Sequence, residues 1–336
     1  MKCEYLCAMK MLEENVFSIT NTEQFEEVAL EVFRYQVQNN HVYREYLELL
    51  KFDVNKVTHT CLIPFLPIQL FKTKKIHSAG RTPVLTFTSS GTTGAEISTH
   101  LIVNPVLYEK SFLTSFRMFY GNPEDYCILA LLPSYLERQG SSLVYMVDRL
   151  IKKSNHSDGG FYLNEYKKLT ETLNKLESQG QKVLLIGVTF ALADLAEQCR
   201  MSLRNTVIME TGGMKGRRKE MIREELHSLL CNAFGVEAIH SEYGMTELLS
   251  QAYSKGKGIF KCPSWMKVSI RDPYDPFSQL PVGRNGAINV IDLANIYSCS
   301  FIQTDDLGRI YPDGSFEVLG RLEGSQIRGC NLLISA

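Results

Sequence analysis

The sequence lacks an excess of charge of either sign. Its 336 residues carry 36 Lys and Arg against 37 Asp and Glu, which leaves a formal net charge of -1. Proteins that bind nucleic acid through its phosphates carry a clustered basic excess. The charge balance therefore favours no nucleic-acid partner. The 44% hydrophobic and 22% charged residues are typical of a globular protein.

Long apolar runs are also missing. No stretch of the sequence approaches the roughly 18 residues that a membrane-spanning helix needs. The chain starts Met1-Lys2-Cys3-Glu4, and an acidic residue this early is unlike a secretory signal. From these absences we expect a cytoplasmic protein without a membrane span.

The cysteines form no metal-binding pattern. Of the nine, Cys3 and Cys7 are the closest pair, and neither a second pair nor a nearby histidine completes a zinc site. Because the number is odd and the positions are scattered, we expect mostly reduced, buried thiols.

The chain changes its pattern twice, which predicts three regions. Residues 1–80 are mostly helical, because apolar side chains from Phe25 to Phe33 follow helical spacing and Thr20 with Glu23 fits a capping box. Residues 81–262 alternate strand-like and helix-like segments, which is typical of a parallel α/β sheet. Residues 263–336 lose the helical period, and we expect a small β-barrel or sheet there.

Within the α/β body the pattern predicts the individual elements. Helices are expected at 104–120, 142–153 and 164–177, from 189, and at 216–234, and strands at 126–132, 183–187, 207–209 and 236–240.

A hydroxyl-rich loop follows the first strand-like segment of this body. It consists of Ser89, Ser90, Gly91, Thr92, Thr93 and Gly94. Glycine allows the backbone to turn tightly beside a ligand, and consecutive backbone N–H groups with hydroxyls suit phosphate oxygens. No Lys-Ser or Lys-Thr pair follows, so this is not the common P-loop. Taken alone, the loop also fits a polar hairpin turn.

Four further clusters follow strand-like segments. Residues 243–247 combine an aromatic ring that can stack on a base, a hydroxyl for a phosphate and a carboxylate for Mg²⁺. Gly212-Gly213 follows another strand, where open α/β sheets bind ligands. Asp306 offers acceptors for ribose hydroxyls, and Arg321 follows a later β segment. Each cluster alone also fits an ordinary turn, a solvated hairpin or a surface salt bridge.

In this order, the clusters resemble the adenylate-forming superfamily of acyl-CoA synthetases, luciferases and peptide-synthetase adenylation domains. The matching motifs are TSSGTTG, YGMTE, TDDLG in place of Thr-Gly-Asp, and GR…IRG. The chain most resembles the LuxE family of acyl-protein synthetases, through IPFLP at 63–67, PSYLERQGSSL at 133–143 and RGCNLL at 328–333. It is also similar to phenylacetate-CoA ligases.

The resemblance implies a fold as well. We expect the large N-terminal domain of adenylate-forming enzymes, with α/β subdomains and a small β-barrel. These enzymes have a smaller C-terminal domain that supplies a lysine for adenylation. The likeness to LuxE implies that this smaller domain is lacking.

The resemblance assigns ATP and Mg²⁺ as cofactors and gives each matching residue a role. The residues Ser89, Ser90, Gly91, Thr92, Thr93 and Gly94 would hold the β- and γ-phosphates. The adenine would lie between Gly212, Gly213 and the Tyr243-Gly244 pair, with Tyr243 stacked on the base. Thr246 would touch the α-phosphate, and Glu247 would bind Mg²⁺. Asp306 would accept from the ribose hydroxyls, with Arg321 beside it.

Two departures from the superfamily pattern lie at these positions. After the phosphate loop the chain continues with Ala95-Glu96-Ile97 instead of Pro-Lys, which removes a positive charge near the triphosphate and bears on the affinity for ATP. In Thr304-Asp305-Asp306 an additional carboxylate adjoins the expected ribose ligand.

The implied function is ATP-dependent activation of a carboxylic acid as an acyl-adenylate, followed by transfer to a cysteine. In the LuxE family this cysteine lies close to the C-terminus, which corresponds to Cys330, and the acid is a fatty acid. A thioester keeps the acyl group activated, and Arg328 would favour the thiolate. Cys330 also fits a buried apolar thiol beside Leu332 and Leu333.

The resemblance implies an acyl-CoA-reductase-like or acyl-carrier protein as a partner. Two other functions stay open from the sequence. One is an AMP-forming acyl- or aryl-CoA ligase, and the other is a non-catalytic module that binds a nucleotide or an acyl group.

Overall fold

The computed structural model describes residues 2–89, 96–133, 140–212 and 221–322. The α-helices are α1 Lys2–Phe17, α2 Thr22–Asn39, α3 His41–Leu49, α4 Leu70–Thr73, α5 Pro105–Tyr120, α6 Ser142–Ser154, α7 Tyr166–Ser178, α8 Thr189–Gln198 and α9 Arg223–Phe234. The strands are β1 Leu66–Pro67, β2 Leu85–Thr88, β3 Thr99–Ile102, β4 Cys127–Leu131, β5 Gly160–Phe161, β6 Val183–Val188, β7 Thr206–Thr211, β8 His240–Tyr243, β9 Ala252–Ser254, β10 Ile259–Lys261, β11 Met266–Arg271, β12 Asn285–Asp292, β13 Phe301–Ile310 and β14 Phe316–Arg321. None of the helices in the described ranges has the length and apolar character needed to cross a bilayer.

The chain divides into two compact units. The first unit combines Met1–Thr82 with Ser264–Ala336, and the second unit is Pro83–Pro263. The division into three regions that the sequence suggested stays a prediction.

The second unit is built on a mainly parallel sheet. Its strands follow the order β5, β4, β6, β7, β8, all parallel, and β9 and β10 continue the sheet antiparallel. Every residue of β4 and β6 is buried, as expected for parallel strands that are covered on both faces. The alternating helices and strands expected for this region are therefore confirmed.

Local signals position the helices that flank this sheet. The side chain of Asn104 accepts a hydrogen bond from the Val106 N–H at the start of α5, Pro105 occupies the first turn, and Gly121 with φ +88° ends the helix. Ser141 caps α6 in the same way by accepting from Val144 N. The helices predicted at 104–120 and 142–153 are confirmed within one residue.

Two elements of the second unit begin more than two residues away from their predicted starts. Helix α9 begins at Arg223 and not at residue 216, and residues 213–220 lie outside the described residues. Strand β8 begins at His240, whereas the apolar pattern predicted a strand at 236–240. Ile239 is buried without being part of a strand, so packing alone accounts for its apolar character.

The first unit contains an antiparallel sheet. Strands β11, β12, β13 and β14 pair in chain order, and the short β1 runs parallel to β13. Helix α2 is tied to the chain between β12 and β13 because the fully buried Gln36 side chain donates to the Asn295 and Ile296 carbonyls at 3.1 and 3.0 Å. The face of α2 from Phe25 to Phe33 is buried as predicted.

The start of α2 corrects the predicted capping box. The cap residue is Asn21, whose side chain accepts from Gln24 N at 2.9 Å, while Thr20 donates to the Gln24 side chain. Asparagine is at least as good a cap as threonine. The predicted pair of Thr20 and Glu23 is therefore shifted by one residue.

Candidate active site

The expected nucleotide-binding turn lies at the carboxyl end of β8. Tyr243 ends the strand, and residues 244–248 form a turn closed by a hydrogen bond from Leu248 N to Met245 O at 3.1 Å. No helix follows, because the next element is β9, so Thr246 is not a helix cap. Glu247 is buried and Thr246 is half-buried. This turn therefore presents a hydroxyl and a carboxylate side by side in sequence.

His100 fixes the backbone of this turn. It lies on β3, is fully buried, and places Nδ1 2.8 Å from the carbonyl oxygen of Thr246. Because a carbonyl only accepts, Nδ1 must carry the hydrogen and donate it. Strand β3 forms a hairpin with β2, so the hairpin that leads into the hydroxyl-rich loop is joined to the Thr246-Glu247 turn.

Ser89 closes the base of the hydroxyl-rich loop. Its N–H donates to the Ser98 carbonyl at 3.0 Å, and its Oγ accepts from Ser98 N at 2.9 Å. Gly140 packs on the same hairpin, since its carbonyl accepts from Thr88 N at 2.8 Å. Glu96, which belongs to the segment that stands in place of the superfamily's Pro-Lys, is exposed.

Several predicted site residues lie outside the described residues. They are Ser90, Gly91, Thr92, Thr93, Gly94, Gly213 and Cys330. Their roles in phosphate binding, adenine binding and acyl transfer stay predictions.

A hydroxyl holds the glycine that follows β7. Gly212 has φ +70°, a conformation that favours glycine, and its carbonyl accepts from Thr189 Oγ1 at 2.6 Å. The same hydroxyl lies 3.2 Å from Glu210 Oε2. His227 Nε2 lies 3.6 Å from the other oxygen of Glu210, close enough for electrostatic attraction but too far for a hydrogen bond. Thr189 thus connects the start of α8 to the expected adenine-binding segment.

Tyr243 and Gly244 form the other side of the expected adenine site. The Tyr243 ring is buried, and its centroid lies 5.9 Å from that of Phe260 at an interplanar angle of 60°. Gly244 is exposed. An aromatic ring held by a second ring, next to an open backbone position, is suited to stacking on a planar base.

Glu242 directs its carboxylate toward this turn. It is buried on β8, and its Oε2 accepts a hydrogen bond from Thr211 Oγ1 on the neighbouring strand. A Cβ at position 244 would collide with Glu242 Oε1 and would approach Gln251 Cγ to 3.3 Å. Glycine at this position therefore makes room for the Glu242 carboxylate beside the turn.

The interior around Glu242 disfavours charge. Burial, reinforced by the negative charge of Glu210, raises the pKa of Glu242 to about 7, although the Thr211 hydrogen bond acts in the opposite direction. Burial, together with Lys255, lowers the pKa of His240 to about 4. The Nδ1 atom of His240 lies 3.2 Å from the hydroxyl of Tyr120. Both groups are therefore more readily neutral than in water.

The residues present fit a magnesium ion that arrives with a nucleotide. Within the described ranges, no group of three or more His, Cys, Asp or Glu side chains is arranged to hold a metal. In nucleotide sites Mg²⁺ usually takes one or two carboxylates, with waters and substrate phosphates as the other ligands. The buried carboxylate of Glu247 next to the Thr246 hydroxyl matches that requirement.

Asp306 and Arg321 are cross-strand neighbours in the first unit. They pair in register between β13 and β14, and Arg321 Nε lies 3.7 Å from Asp306 Oδ1. The Arg321 side chain is 69% exposed, so solvent screens this ion pair and its contribution to stability is small. The role of both residues at a ribose stays a prediction.

The additional carboxylate of the TDDLG motif is held within its own unit. Gln69 Nε2 donates to Asp305 Oδ1, and the Asp305 carbonyl accepts from Leu322 N at 2.6 Å. The buried guanidinium of Arg271 donates to the neighbouring Thr304 carbonyl at 2.8 Å, which brings a positive charge close by. Asp305 therefore has local partners that account for it.

Sequence reasoning missed Thr189, His100, Glu210 and Glu242. The two glutamates had a signal, because each interrupts an otherwise buried strand directly before a glycine-containing motif, and buried acids are rare unless they are paired or functional. The sequence around Thr189 and His100 contains no such signal. Their importance depends on contacts with residues 23 and 146 positions away in the chain.

Solved structures share this fold. ATP-bound MatB from Rhodopseudomonas palustris is 17% identical with a TM-score of 0.53, over 70% of this chain and 47% of MatB. An open conformation of 2-hydroxyisobutyryl-CoA ligase in complex with 2-HIB-AMP and CoA is 11% identical with a TM-score of 0.65, over 91% of this chain and 72% of the ligase. The chain thus spans about half the length of MatB. These similarities confirm the α/β fold class of adenylate-forming enzymes.

Sequence comparison gives the family. No curated protein matches the chain significantly. The family model described as "Acyl-protein synthetase, LuxE" matches residues 143–336. This match covers more than half of the chain and includes Gly212, the turn at 243–247, Asp306, Arg321 and Cys330. The chain therefore belongs to the LuxE family of acyl-protein synthetases.

Proposed function

We propose that this protein activates a carboxylic acid with ATP and Mg²⁺ and transfers the acyl group to the thiol of Cys330. The observation that carries the proposal is the LuxE family match over residues 143–336, which contains the turn at 243–247 and Cys330. The turn supports it, because a buried carboxylate and a hydroxyl follow a parallel strand at the sheet edge where α/β proteins bind nucleotides.

The chain's own residues bind and orient the reactants. Tyr243 offers a ring for the adenine, and Thr189 holds the Gly212 carbonyl so that the segment after β7 keeps its shape. His100 fixes the Thr246 backbone, and we propose that the Thr246 hydroxyl and the Glu247 carboxylate of this turn face the phosphates. ATP supplies the electrophilic phosphorus, and its Mg²⁺ neutralises phosphate charge. Positioning and charge neutralisation supply most of the catalysis in such reactions.

The reaction has two bond exchanges. A carboxylate oxygen of the acid bonds to the α-phosphorus of ATP, and pyrophosphate leaves. The Cys330 thiolate then bonds to the acyl carbon, and AMP leaves with the electron pair of the broken C–O bond. The product is a thioester on the protein, which keeps the acyl group reactive toward a later acceptor.

The acid and the acceptor are also part of the proposal. A fatty acid is the substrate that the LuxE family implies. The thioester would pass its acyl group to an acyl-CoA-reductase-like or acyl-carrier protein, since a protein-bound thioester needs a partner to complete a cycle.

A second candidate is an AMP-forming ligase that uses coenzyme A. It is favoured by one observation, the structural similarity to a ligase solved with 2-HIB-AMP and CoA. In that case Cys330 has no covalent role, and the acyl group leaves the protein on a diffusible thiol.

Intact-protein mass spectrometry tests the proposal. The protein is incubated with Mg²⁺-ATP and a panel of fatty and aryl acids, with and without coenzyme A. We expect an added acyl mass that hydroxylamine removes and that Cys330→Ala lacks, while Cys299→Ala keeps it. Acyl-CoA formation without any protein adduct would select the second candidate. The absence of adduct, pyrophosphate and acyl-CoA would leave a module that only binds.

A further inference from the structure

The side chains of Glu242 and Gln251 lie on one face of the sheet, on either side of Gly244 in the nucleotide-binding turn. Strands β8 and β9 pair Glu242 with Tyr253 and Tyr243 with Ala252. Continuing this register places Gln251 opposite Gly244. Because side chains alternate along a strand, Glu242, Gly244 and Gln251 share one face.

Of the oxygens on these two side chains, the buried Gln251 Oε1 has no hydrogen-bond partner among the described residues. The Glu242 carboxylate is held through Oε2 by Thr211, while Oε1 lies against Gly244. Gln251 is only 3% exposed. Leaving a buried acceptor unmatched costs free energy. The unmatched Gln251 Oε1 therefore calls for a donor, and the Glu242 carboxylate next to Gly244 offers the same donor a second acceptor.

The region between Glu242 and Gln251 is open to the nucleotide-binding turn at Gly244. Gly244 is exposed, although Glu242 and Gln251 on either side of it are buried. No side chain at position 244 covers the two oxygens. A molecule that reacts beside Tyr243 and Thr246 would therefore pass close to both acceptors.

We propose that Glu242 and Gln251 select a carboxylic acid that carries a hydrogen-bond donor, a hydroxyl or an amino group, close to its carboxylate. This inference rests on the proposed acid activation and specifies its substrate class. The donor would bond to Glu242 Oε1 and Gln251 Oε1 while the carboxylate faces the α-phosphate. A site whose polar atoms need a donor rejects analogues that lack one, because its acceptors then stay unpaired.

The alternative is an interaction within the protein. A proton held by Glu242 and donated to Gln251 Oε1 would satisfy both groups without any ligand. In that case the two residues stabilise the fold and do not distinguish acids with and without a donor.

Acid-dependent exchange of ATP with labelled pyrophosphate tests the inference. The acids are matched in chain length and are unsubstituted, 2-hydroxy, 3-hydroxy or 2-amino. For the wild-type protein we expect kcat/KM to favour at least one donor-bearing acid by about ten-fold or more over the unsubstituted acid. The 2-hydroxy and 2-amino arms distinguish a neutral donor from a charged one.

Two variants and a matched control test whether Glu242 and Gln251 cause this preference for donor-bearing acids. Glu242→Gln keeps an acceptor for Thr211 but can turn N–H donors toward Gly244, and Gln251→Met removes one acceptor at similar volume. Each should reduce the preference to about two-fold or less. Glu237→Gln makes the same chemical change at an exposed position shortly before β8, and it should leave both the rates and the ratio between acids unchanged.

The outcomes separate this inference from the function on which it rests. A wild-type protein that exchanges with all acids equally, or prefers the unsubstituted ones, overturns the inference and leaves acid activation standing. Equal losses with every acid in Glu242→Gln would also overturn it, because a structural residue produces that result. Exchange with no acid at all would overturn both.

Discussion

The parallel sheet of the second unit has two halves with different interiors. Strands β4 and β6 bury only apolar residues and a cysteine, in the sequences CILAL and VLLIGV. Strands β7 and β8 lie in the same sheet and are buried except for one half-buried residue in each, but they contain the buried polar residues Glu210, Thr211, Ser241 and Glu242. Burying polar groups costs stability unless each one is paired.

We propose that this difference separates stability from function. The apolar half is stabilised by packing alone. In the polar half, Glu210 shares the Thr189 hydroxyl with the Gly212 carbonyl, and Glu242 lies against Gly244. Gly212 and Gly244 belong to the segments that we propose bind the nucleotide, so we propose that these buried polar groups serve the chemistry of the site.

The largest effect is expected from Glu247→Gln, which removes the charge proposed to bind Mg²⁺. The rate of acid-dependent pyrophosphate exchange should fall by about 10²–10³-fold, a magnitude typical for the loss of one electrostatic group in an active site. The unfolding midpoint in urea should change little. Glu171→Gln, an exposed change on α7, is the control and should keep full activity. An active Glu247→Gln enzyme would remove this residue from the site.

A substitution in the apolar half should lower stability and leave ATP binding unchanged. Leu185→Ala deletes a fully buried side chain of β6 and should lower the free energy of unfolding by about 2–5 kcal/mol, since it leaves a cavity. The KM for ATP of the folded protein should stay the same. Leu49→Ala, at a position 78% exposed, should change stability by less than about 0.5 kcal/mol. A raised KM in Leu185→Ala with unchanged stability would contradict the division between the halves.

The pH dependence of stability should reveal the buried acid. Because the pKa of Glu242 is raised to about 7, the folded protein keeps a proton that the unfolded chain releases at its ordinary value of 4.5. Its contribution is therefore present at low pH and is lost as the pH rises through 7. Over this range the loss is roughly 3 kcal/mol.

Comparison of urea unfolding between pH 4.5 and 8 for the wild type and Glu242→Gln measures this contribution. The free energy of unfolding of the wild type relative to that of Glu242→Gln should decrease as the pH rises from 4.5 to 8. The other ionisable groups around Glu242 are Glu210, Tyr120 and Tyr253, and the tyrosines stay neutral here because their pKa values are raised. His240 has the opposite sign, since its lowered pKa removes stability as the pH falls below about 6.5. Parallel curves would show that Glu242 is ionised throughout.

A smaller effect is expected from Thr189→Val, which keeps the shape of the side chain and removes its hydroxyl. The Gly212 carbonyl and Glu210 would lose their shared partner, at a cost of about 1–2 kcal/mol. The KM for ATP should rise because the segment after β7 loses its anchor. Thr170→Val removes a hydroxyl that bonds the Tyr166 carbonyl on α7, and it should affect neither ATP binding nor exchange. Equal effects of the two substitutions on KM would contradict a positioning role for Thr189.

The sequence predicted the parallel sheet well because its strands are apolar runs between amphipathic helices. Val183 to Gly187 was sufficient to locate β6, and Asn104 with Pro105 located the start of α5. The strand at 236–240 was wrong in its start because burial and strand pairing give the same apolar signal. The capping box predicted at Thr20 was wrong because the neighbouring Asn21 caps the helix equally well.

The site was only partly predictable. Tyr243 and Glu247 stand in a motif that is continuous in sequence, so their placement in one turn followed from the chain itself. His100 and Thr189 act through contacts with residues far away in the chain, and nothing in their local sequence indicates this. Glu242 was overlooked because it lies between the strand predicted at 236–240 and the residues of the 243–247 motif that received roles, whereas the structure places it within β8.

Acid-dependent ATP–pyrophosphate exchange by the wild type, Cys330→Ala and Glu247→Gln, measured side by side, tests the central claim most directly. We propose that activation takes place beside the polar half of the sheet and that Cys330 acts only in the second step. We therefore expect equal exchange by the wild type and Cys330→Ala, and a loss of about 100-fold or more in Glu247→Gln. Exchange that depends on Cys330, is indifferent to Glu247, or is absent in all three proteins would contradict this proposal.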